Sequence, residues 1–181
     1  MEIQKLISNC IKNDRKSQKD FYLLTADRLM NVSRRYSNDI NDAKDILQNA
    51  FIKIFKNLNK FDFDKGNLDS WLTKIVINEA LQLIRKKKGQ MVKDKIMKEE
   101  FEELSTPEIL SRLQAEDVLN VTAQLPEGYR IVFNMNIVEG YNHKEIAEAL
   151  GITESTSRSQ LTRAKKLLKK LLIEQKNAEL C

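Results

Sequence analysis

Glycine and proline are scarce in this sequence, with 5 and 2 residues among 181. An all-β fold needs a turn about every ten residues, and glycine and proline supply many of those turns. The scarcity therefore argues against such a fold and predicts long helices. A hydrophobic fraction of 41% beside a charged fraction of 31% is enough for packed cores with a well-solvated surface.

Cysteine and histidine are rarer still. The chain has 2 cysteines, Cys10 and Cys181, near opposite ends, and 1 histidine, His143. We therefore expect no disulfide framework, no zinc site and no cofactor. The aspartates spaced from Asp39 to Asp45 have no neighbouring His or Cys, so they fit a solvated or docking face and we expect no metal there. His143 has no nucleophile pattern around it and is expected at the surface.

Long apolar runs are also missing. The first residues, MEIQKLISNC, contain no signal-peptide core, and no segment approaches the roughly 20 apolar residues of a membrane span. We therefore predict a cytoplasmic protein without membrane insertion. The net charge of +5 permits a polyanionic partner, although the distribution of charge matters more than its sum.

Changes in composition and in hydrophobic periodicity divide the chain into parts. Apolar periodicity fills the first part and resumes after about Arg112, whereas the stretch that begins at Gly89 is highly charged and contains Pro107. We predict an all-α protein made of two small helical domains. The N-terminal domain spans 1–88, a charged linker spans 89–112, and a C-terminal helix-turn-helix domain spans 113–181.

The clearest helix of the first domain runs from Asp42 to Phe55. Its apolar residues follow the i, i+3, i+4 rule without a break, so one face is predicted to be core. Polar side chains, among them Asp42, Asp45 and Gln48, are assigned to the opposite side.

A second strong helix is predicted from Ser70 to Lys88, with Ser70 as its N-cap. It is apolar on most sides, which indicates burial in a bundle. One narrow polar stripe remains, formed by Lys74, Asn78, Gln82 and Arg85. Trp71 fits either a core anchor or a base-stacking residue. The basic end from Arg85 to Lys88 fits either a helix end favoured by the macrodipole or a contact to nucleic acid.

The second half of the chain contains regularly placed helix boundaries. Pro126 suits the first turn of a helix, and Gly140 can take the left-handed conformation after its end. Asn142 and Glu145 resemble a capping box that begins a short helix, which ends at Gly151.

A last helix is predicted from Glu154 to about Ile173, with Thr153 as its cap. A short helix, a glycine turn and a basic helix form the helix-turn-helix signature. A surface hairpin with a solvated lysine face would explain the charge, but not the coincidence of turn glycine, cap and the small Ala147 between the helices. The first turns of the basic helix carry side chains that suit the major groove: Ser155, Thr156, Arg158, Ser159 and Gln160.

These motifs resemble a known family. The segment LPEGYRIVFNMNIVEGYNHKEIAEALGITESTSRSQLTRAKKLL is similar to the C-terminal domain of extracytoplasmic-function sigma factors, in both the order and the spacing of its elements. Independently, DAKDILQNAFIKIF resembles the family's Asp-x-x-Gln-x-x-Phe helix, and SWLTKIVINEALQLIRKKK resembles its Trp-Leu-x-x-Ile-x-x-Asn-x-x-x-Asp-x-x-Arg helix. The resemblance spans roughly Phe21 to Leu172.

The resemblance implies a transcription initiation factor and gives each element a role. The first strong helix falls on the family's docking surface for core RNA polymerase, its β′ and β subunits. The second falls, with the Phe61 to Asp69 loop near a captured base, on the element that reads and opens the minus-ten promoter motif. The implied polymerase-binding residues are Asp42, Asp45, Gln48 and Phe51. The implied minus-ten contacts are Lys74, Asn78, Arg85 and Lys86.

The basic helix falls on the family's reader of the minus-thirty-five motif. An anti-sigma factor, which many relatives have, is an implied partner beside promoter DNA. This chain departs from the family at Gln82 and Leu83, where an Asp is common, and at Ser157, where Val is usual. The implied minus-thirty-five contacts are Ser155, Thr156, Arg158, Ser159, Thr162, Arg163 and Lys166.

Two other functions compete with this interpretation. A one-component regulator would join a C-terminal helix-turn-helix to a sensor or dimerisation domain and bind operator DNA without polymerase, and the two N-terminal motifs argue against it. A nucleic-acid-modifying enzyme would need a nucleophile, a metal cluster or a Gly-rich phosphate loop, none of which the sequence supplies.

Overall fold

The computed structural model describes residues 2–88 and 121–178, where all regular structure is helical. The predicted all-α class is thereby confirmed. The chain divides into an N-terminal unit, Met1–Met91, and a C-terminal unit, Val92–Cys181. The predicted linker at 89–112 lies outside the described residues, and the predicted domain limits stay a prediction. Within the described residues, no helix combines the length and apolarity that a membrane crossing requires.

The N-terminal unit is a helical bundle. Helices α2, α3 and α4 pack pairwise against one another, while α1 packs on α2 and on a 3-10 turn that follows α3. The sequence did not predict α1. The elements are α1 Glu2–Ile11, α2 Arg15–Tyr36, α3 Ile40–Asn57, the 3-10 turn Leu58–Lys60 and α4 Leu68–Lys88.

The apolar periodicity of α3 and α4 becomes the core of this unit. Ile46 and Ile54 of α3 are at most 1% exposed, and so are Leu72 and Ile77 of α4. Phe21 of α2 is also fully buried, and its ring lies 6.0 Å from that of Phe55 of α3. Removal of this apolar surface from water is the main stabilising contribution to such a bundle.

Side-chain caps fix where these helices begin. Asp39 accepts hydrogen bonds from the backbone N–H groups of Asn41 (2.8 Å) and Asp42 (2.9 Å) at the start of α3. The prediction that Ser70 caps α4 is wrong. Asn67 takes that position, because its side-chain oxygen accepts the N–H of Ser70 at 3.1 Å and the helix begins two residues earlier.

The C-terminal unit is described from residue 121. Its helices are α5 Glu127–Phe133, extended by a π turn at Asn134–Val138, α6 His143–Leu150 and α7 Glu154–Ala178. Helix α7 packs against both α5 and α6. It continues to Ala178, beyond the predicted end near Ile173.

The predicted glycine turns and N-terminal caps of this unit are confirmed. Gly140 and Gly151 have φ values of 76° and 66°, the left-handed region that favours glycine. Asn142 Oδ1 accepts the N–H of Glu145 at 3.0 Å, and Glu145 Oε2 accepts the N–H of Asn142 at 2.8 Å, which completes the capping box. Thr153 Oγ1 accepts from the backbone of α7 at 3.1 Å.

Candidate docking helix and nucleic-acid interfaces

The polar stripe of α4 lies on the surface as predicted. Lys74, Asn78, Gln82 and Arg85 are exposed, and Lys86 beside them is exposed as well. Most of the remaining circumference of the helix is buried or half-buried. The exposed side chains of α4 between Trp71 and Arg85 are those of the stripe, and their contact with DNA stays a prediction.

Three aromatic rings stand at the start of α4. Phe61 lies 4.9 Å from Phe63 and 5.4 Å from Trp71, measured between ring centroids. All three side chains are half-buried. Trp71 therefore contributes to a small aromatic cluster at the surface, and it is neither a deeply buried core anchor nor a free ring. Partly exposed rings of this kind can stack on an unpaired base.

Arg28 ties the start of α4 to α2. Its guanidinium lies 2.7 Å from the Asp69 carboxylate and donates to Thr73 Oγ1 at 3.2 Å. These contacts hold the first turn of α4 against the bundle. They also fix the end of the loop that carries Phe61 and Phe63. The sequence did not predict them.

The predicted docking set on α3 separates into two groups. Asp45 and Gln48 are exposed, as expected of residues available to a partner. Asp42 was assigned to the same polar side, and that assignment is wrong: it is buried, and both of its carboxylate oxygens lie 2.6 Å from Lys87 Nζ. The first turn of α3 meets the last turn of α4 there, so the carboxylate is covered by the neighbouring helix.

Phe51, the fourth residue of the docking set, is a core residue. It is 5% exposed, and its ring lies 4.6 Å from Tyr22 and 5.9 Å from Phe55. Tyr22 itself is 42% exposed, so this stack reaches the surface between α2 and α3. Phe51 can support a docking face from below but offers a partner little area of its own.

A second ion pair joins α3 to α4 and was also missed. Lys53 of α3 pairs with the buried carboxylate of Glu79 and donates to Gln82 Oε1 at 3.2 Å. One signal in the sequence was available: Glu79 interrupts an otherwise apolar face between Ile77 and Ala80. Buried carboxylates are normally paired, so the charge itself predicted a lysine or arginine on a facing helix.

The first turn of α7 is a network of hydroxyl groups. Thr153 Oγ1 lies 2.9 Å from the hydroxyls of both Ser155 and Thr156. Further along, Ser159 donates to the carbonyl of Thr156 at 2.9 Å, and Thr162 donates to the carbonyl of Arg158 at 3.1 Å. The hydroxyl protons of Ser159 and Thr162 are bonded within the helix, so their oxygen lone pairs are the groups left to face a ligand.

The basic residues of α7 differ in exposure. Arg158 is exposed and lies 3.1 Å from the Glu154 carboxylate, one turn earlier. Arg163 and Lys166 are half-buried. Gln160 is half-buried too, with its amide against Gly128 of α5, so it does not stand with the outward-facing candidates.

His143 joins the two helices of the helix-turn-helix, which sequence reasoning missed. Its Nδ1 lies 2.9 Å from the hydroxyl of Ser157, a residue with no exposed surface. His143 begins α6 and lies at the surface as expected, but its ring is half-buried because α7 covers part of it. Burial lowers its pKa below the ordinary value, and the positive charges of Arg158 and Lys165 lower the pKa further, whereas Glu154 opposes the shift.

Comparison with known proteins places both units in one family. The family model described as Sigma-70 region 2 matches residues 21–90, and that of Sigma-70, region 4 matches residues 115–168. The first match contains α2, α3 and α4, and the second contains α5, α6 and most of α7. Helix α1 lies before the first match.

Whole-length relatives agree with the two family matches. The chain is 30% identical over 179 residues to the ECF RNA polymerase sigma-E factor of Escherichia coli K12, covering 91% of each protein. It is 25% identical over 190 residues to the ECF RNA polymerase sigma factor SigW of Bacillus subtilis, covering 95% of this chain and 97% of SigW.

A solved structure supports the fold. The sigma factor RpoE from Bartonella quintana, in complex with the anti-sigma factor NepR, matches with a TM-score of 0.52 and 21% identity, covering 85% of this chain and 95% of RpoE. Two sigma-70 regions in order, together with a 30% identical relative matched over most of its length, lead to one assignment. The chain belongs to the extracytoplasmic-function family of RNA polymerase sigma factors, which are transcription initiation factors and not enzymes.

Proposed function

We propose that this sigma factor divides promoter recognition between its two units. As a member of its family it directs RNA polymerase to promoters. The N-terminal unit docks core polymerase through α3 and reads and opens the minus-ten element through α4. The C-terminal unit reads the minus-thirty-five element through α7.

The exposed stripe of α4 is the observation that carries the proposal. A helix that served only to stabilise the bundle could have any mixture of polar side chains on its exposed face. Here Lys74, Asn78 and Arg85 supply cationic and amide donors along one line, and the aromatic cluster of Phe61 and Trp71 stands at its start. Donors to phosphates combined with stacking rings are what single-strand capture requires.

The exposed face of α3 supports polymerase docking. Asp45 and Gln48 share this face with Ile52, whose side chain is 47% exposed. A carboxylate and an amide beside an apolar side chain suit a basic amphipathic helix of a partner. We assign this face to the β′ subunit of the polymerase, with the neighbouring β subunit as a further contact of the bound factor.

The exposed end of α7 supports duplex reading. Ser155, Arg158, Ser159 and Thr162 are exposed on its N-terminal half, the part of a recognition helix that reaches deepest into the major groove. Arg158 must exchange its Glu154 partner for a base edge or phosphate, and an exposed pair of this kind costs little to break. Half-buried Arg163 and Lys166 are assigned to the DNA backbone.

An anti-sigma factor is the second protein partner that we propose, as family membership suggests. The solved relative from Bartonella quintana is itself bound to one. We also place the protein in the cytoplasm, where polymerase and promoter DNA are found.

The proposal is tested by run-off transcription with core polymerase in the presence and absence of the protein. The promoter is one that the holoenzyme selects from a randomised library. Asn78→Ala should leave closed-complex binding intact and impair strand opening, measured by permanganate reactivity. Asn31→Ala, an exposed change on α2, is the control. Loss of closed-complex binding with normal opening would refute the assignment of α4.

The same protein and promoter also test whether promoter binding depends on core polymerase. The two readers of an isolated sigma factor contact short motifs, so we expect the protein alone to bind duplex promoter DNA weakly and core polymerase to raise the avidity. Nanomolar, sequence-specific binding by the isolated chain at physiological salt would contradict the proposed division of recognition between two weak readers.

A further inference from the structure

Lys53 stands where the docking helix meets the DNA-reading helix. It belongs to α3, and its side chain is 43% exposed. Its ammonium pairs with the Glu79 carboxylate and donates to Gln82 Oε1 at 3.2 Å. One lysine thus binds two residues of α4, one below the surface and one on the exposed stripe.

The Glu79 carboxylate needs this partner. Its side chain is 8% exposed, and Ile77 and Ala80 beside it are buried. A carboxylate removed from water is costly unless a cation and hydrogen bonds compensate it. Glu79 also follows Asn78 directly, so an uncompensated negative charge there would lie close beneath the face that we assign to DNA, where it would repel phosphates.

We propose that Lys53 and Glu79 are positioning residues for the DNA-reading stripe of α4. Glu79 anchors the Lys53 ammonium, Lys53 holds Gln82 in place, and the lysine neutralises the carboxylate under the stripe. Because Lys53 is part of α3, the same contacts keep the docking helix and the reading helix in one register. The proposal rests on the DNA-reading role proposed above for α4.

The position of the carboxylate offers a direct test. Positions 79 and 82 are one turn apart on the same side of α4, and the Lys53 ammonium contacts both. A carboxylate at either position can therefore reach the same ammonium. The carboxylate can be moved from position 79 to position 82, where the resemblance places an Asp. This change should preserve the ion pair with Lys53 and the position of the stripe.

The experiment uses the full chain with core polymerase and the library-selected promoter, both as duplex and in a premelted form. The variants are Lys53→Met, Glu79→Gln, their double combination, and Glu79→Gln with Gln82→Glu. Lys16→Met, an exposed lysine of α2, is the matched control. Opening rate by permanganate, affinity for core, binding to premelted promoter and melting temperature are measured for each.

We expect Lys53→Met to slow opening about tenfold, because it releases Gln82 and leaves the carboxylate uncompensated. Glu79→Gln should slow opening only about threefold. This variant loses the anchor of the Lys53 ammonium, but it also removes the buried negative charge. The double variant should match Glu79→Gln, and the relocated carboxylate should restore the parent rate. Affinity for core and the Lys16→Met rate should stay at the parent values, whereas binding to premelted promoter should weaken in the same order as the opening rate, because the stripe itself contacts the single strand.

Three results would overturn the proposal. A double variant as slow as Lys53→Met would mean that Lys53 acts on DNA or polymerase directly. A fall in melting temperature with an unchanged opening rate would leave the pair a structural role alone. Failure of the relocated carboxylate to restore the rate would remove the link to Gln82. An unaffected opening rate in Asn78→Ala would instead count against the proposed role of α4 in promoter opening. Failure of that role is therefore distinguishable from failure of the positioning role of Lys53 and Glu79.

Discussion

The polar contacts inside the N-terminal unit differ in sequence range from those inside the C-terminal unit. In the described part of the N-terminal unit, ion pairs join residues far apart in sequence, such as Arg28 with Asp69 and Lys53 with Glu79. In the described part of the C-terminal unit, the caps join residues a turn apart, such as Asn142 with Glu145. The His143–Ser157 bond is a longer-range contact in this unit and joins α6 to α7.

The difference follows from the work proposed for each unit. The N-terminal unit must hold two functional faces, one on α3 and one on α4, at a constant relative position. Contacts between distant helices can do this, whereas caps within a helix cannot. The C-terminal unit presents one reading helix, and a tight turn with local caps is enough to orient it against α6.

The largest expected effect comes from the aromatic core of the N-terminal unit. Phe51→Ala should lower its free energy of unfolding by about 3–4 kcal/mol, because it removes a ring packed between Tyr22 and Phe55. Trp71 fluorescence in a urea titration reports on this unit, since it is the sole tryptophan of the chain. Gln48→Ala, exposed on the same helix, is the control and should change the value by less than about 0.5 kcal/mol. Equal effects would contradict the assignment of Phe51 to the core.

The next comparison separates two aspartates of α3. Asp42→Asn should destabilise the N-terminal unit by about 1 kcal/mol, because it weakens the ion pair between a buried carboxylate and the half-exposed Lys87 side chain. Asp45→Arg should leave stability nearly unchanged and weaken capture of core polymerase by charge reversal. Trp71 unfolding curves and core affinity are measured for both. If Asp45→Arg is folded and binds core as well as the parent, the docking face is wrong.

The third comparison concerns the two arginines of α7. Arg158 and Arg163 are five residues apart, a net rotation of about 140°, so they cannot point at the same base. Arg158→Ala should cost about 1–3 kcal/mol of binding by the holoenzyme and relax preference at one promoter position. Arg163→Ala should weaken binding evenly across sequences. A library of minus-thirty-five variants measures both, and an even loss for Arg158→Ala would reverse the assignment.

The smallest effect expected is the pH response of the helix-turn-helix. The pKa of His143 is lowered in the folded state, so its neutral form contributes stability that is present above its ordinary pKa of 6.5 and is lost as pH falls towards the lowered value. The protection factors of α6 and α7 amides against hydrogen exchange should therefore fall slightly as the pH drops below 6.5. His143→Asn should remove this dependence. An unchanged dependence in that variant would assign the titration to another group.

Much of the candidate site could be predicted from the sequence, because it depends on local rules. Gly151, Thr153 and the Asn142 capping box act on backbone within one turn of themselves, so their residue types were sufficient evidence. The exposed stripe of α4 followed from helical periodicity alone, as positions 74, 78, 82 and 85 repeat on one face.

Errors arose where a second helix decides the surroundings of a residue. Periodicity assigned Asp42 to the polar side of α3, yet the end of α4 covers it and Lys87 neutralises it. The contact of His143 with Ser157 was missed for the same reason, because it depends on how α7 packs against α6. Ser70 has a residue type that suits an N-cap, but Asn67 caps the helix three residues earlier.

The sequence by itself determined the helical class, the helix-turn-helix with its caps, the exposed stripe of α4 and the sigma factor family, because each depends on residue type and spacing along one chain. Only the tertiary structure decided which charges are buried and paired, the support of Phe51 beneath the docking face, and the contact of Lys53 with both Glu79 and Gln82. Those contacts join helices whose angle and offset depend on the packing of the whole core, and no local pattern records that packing.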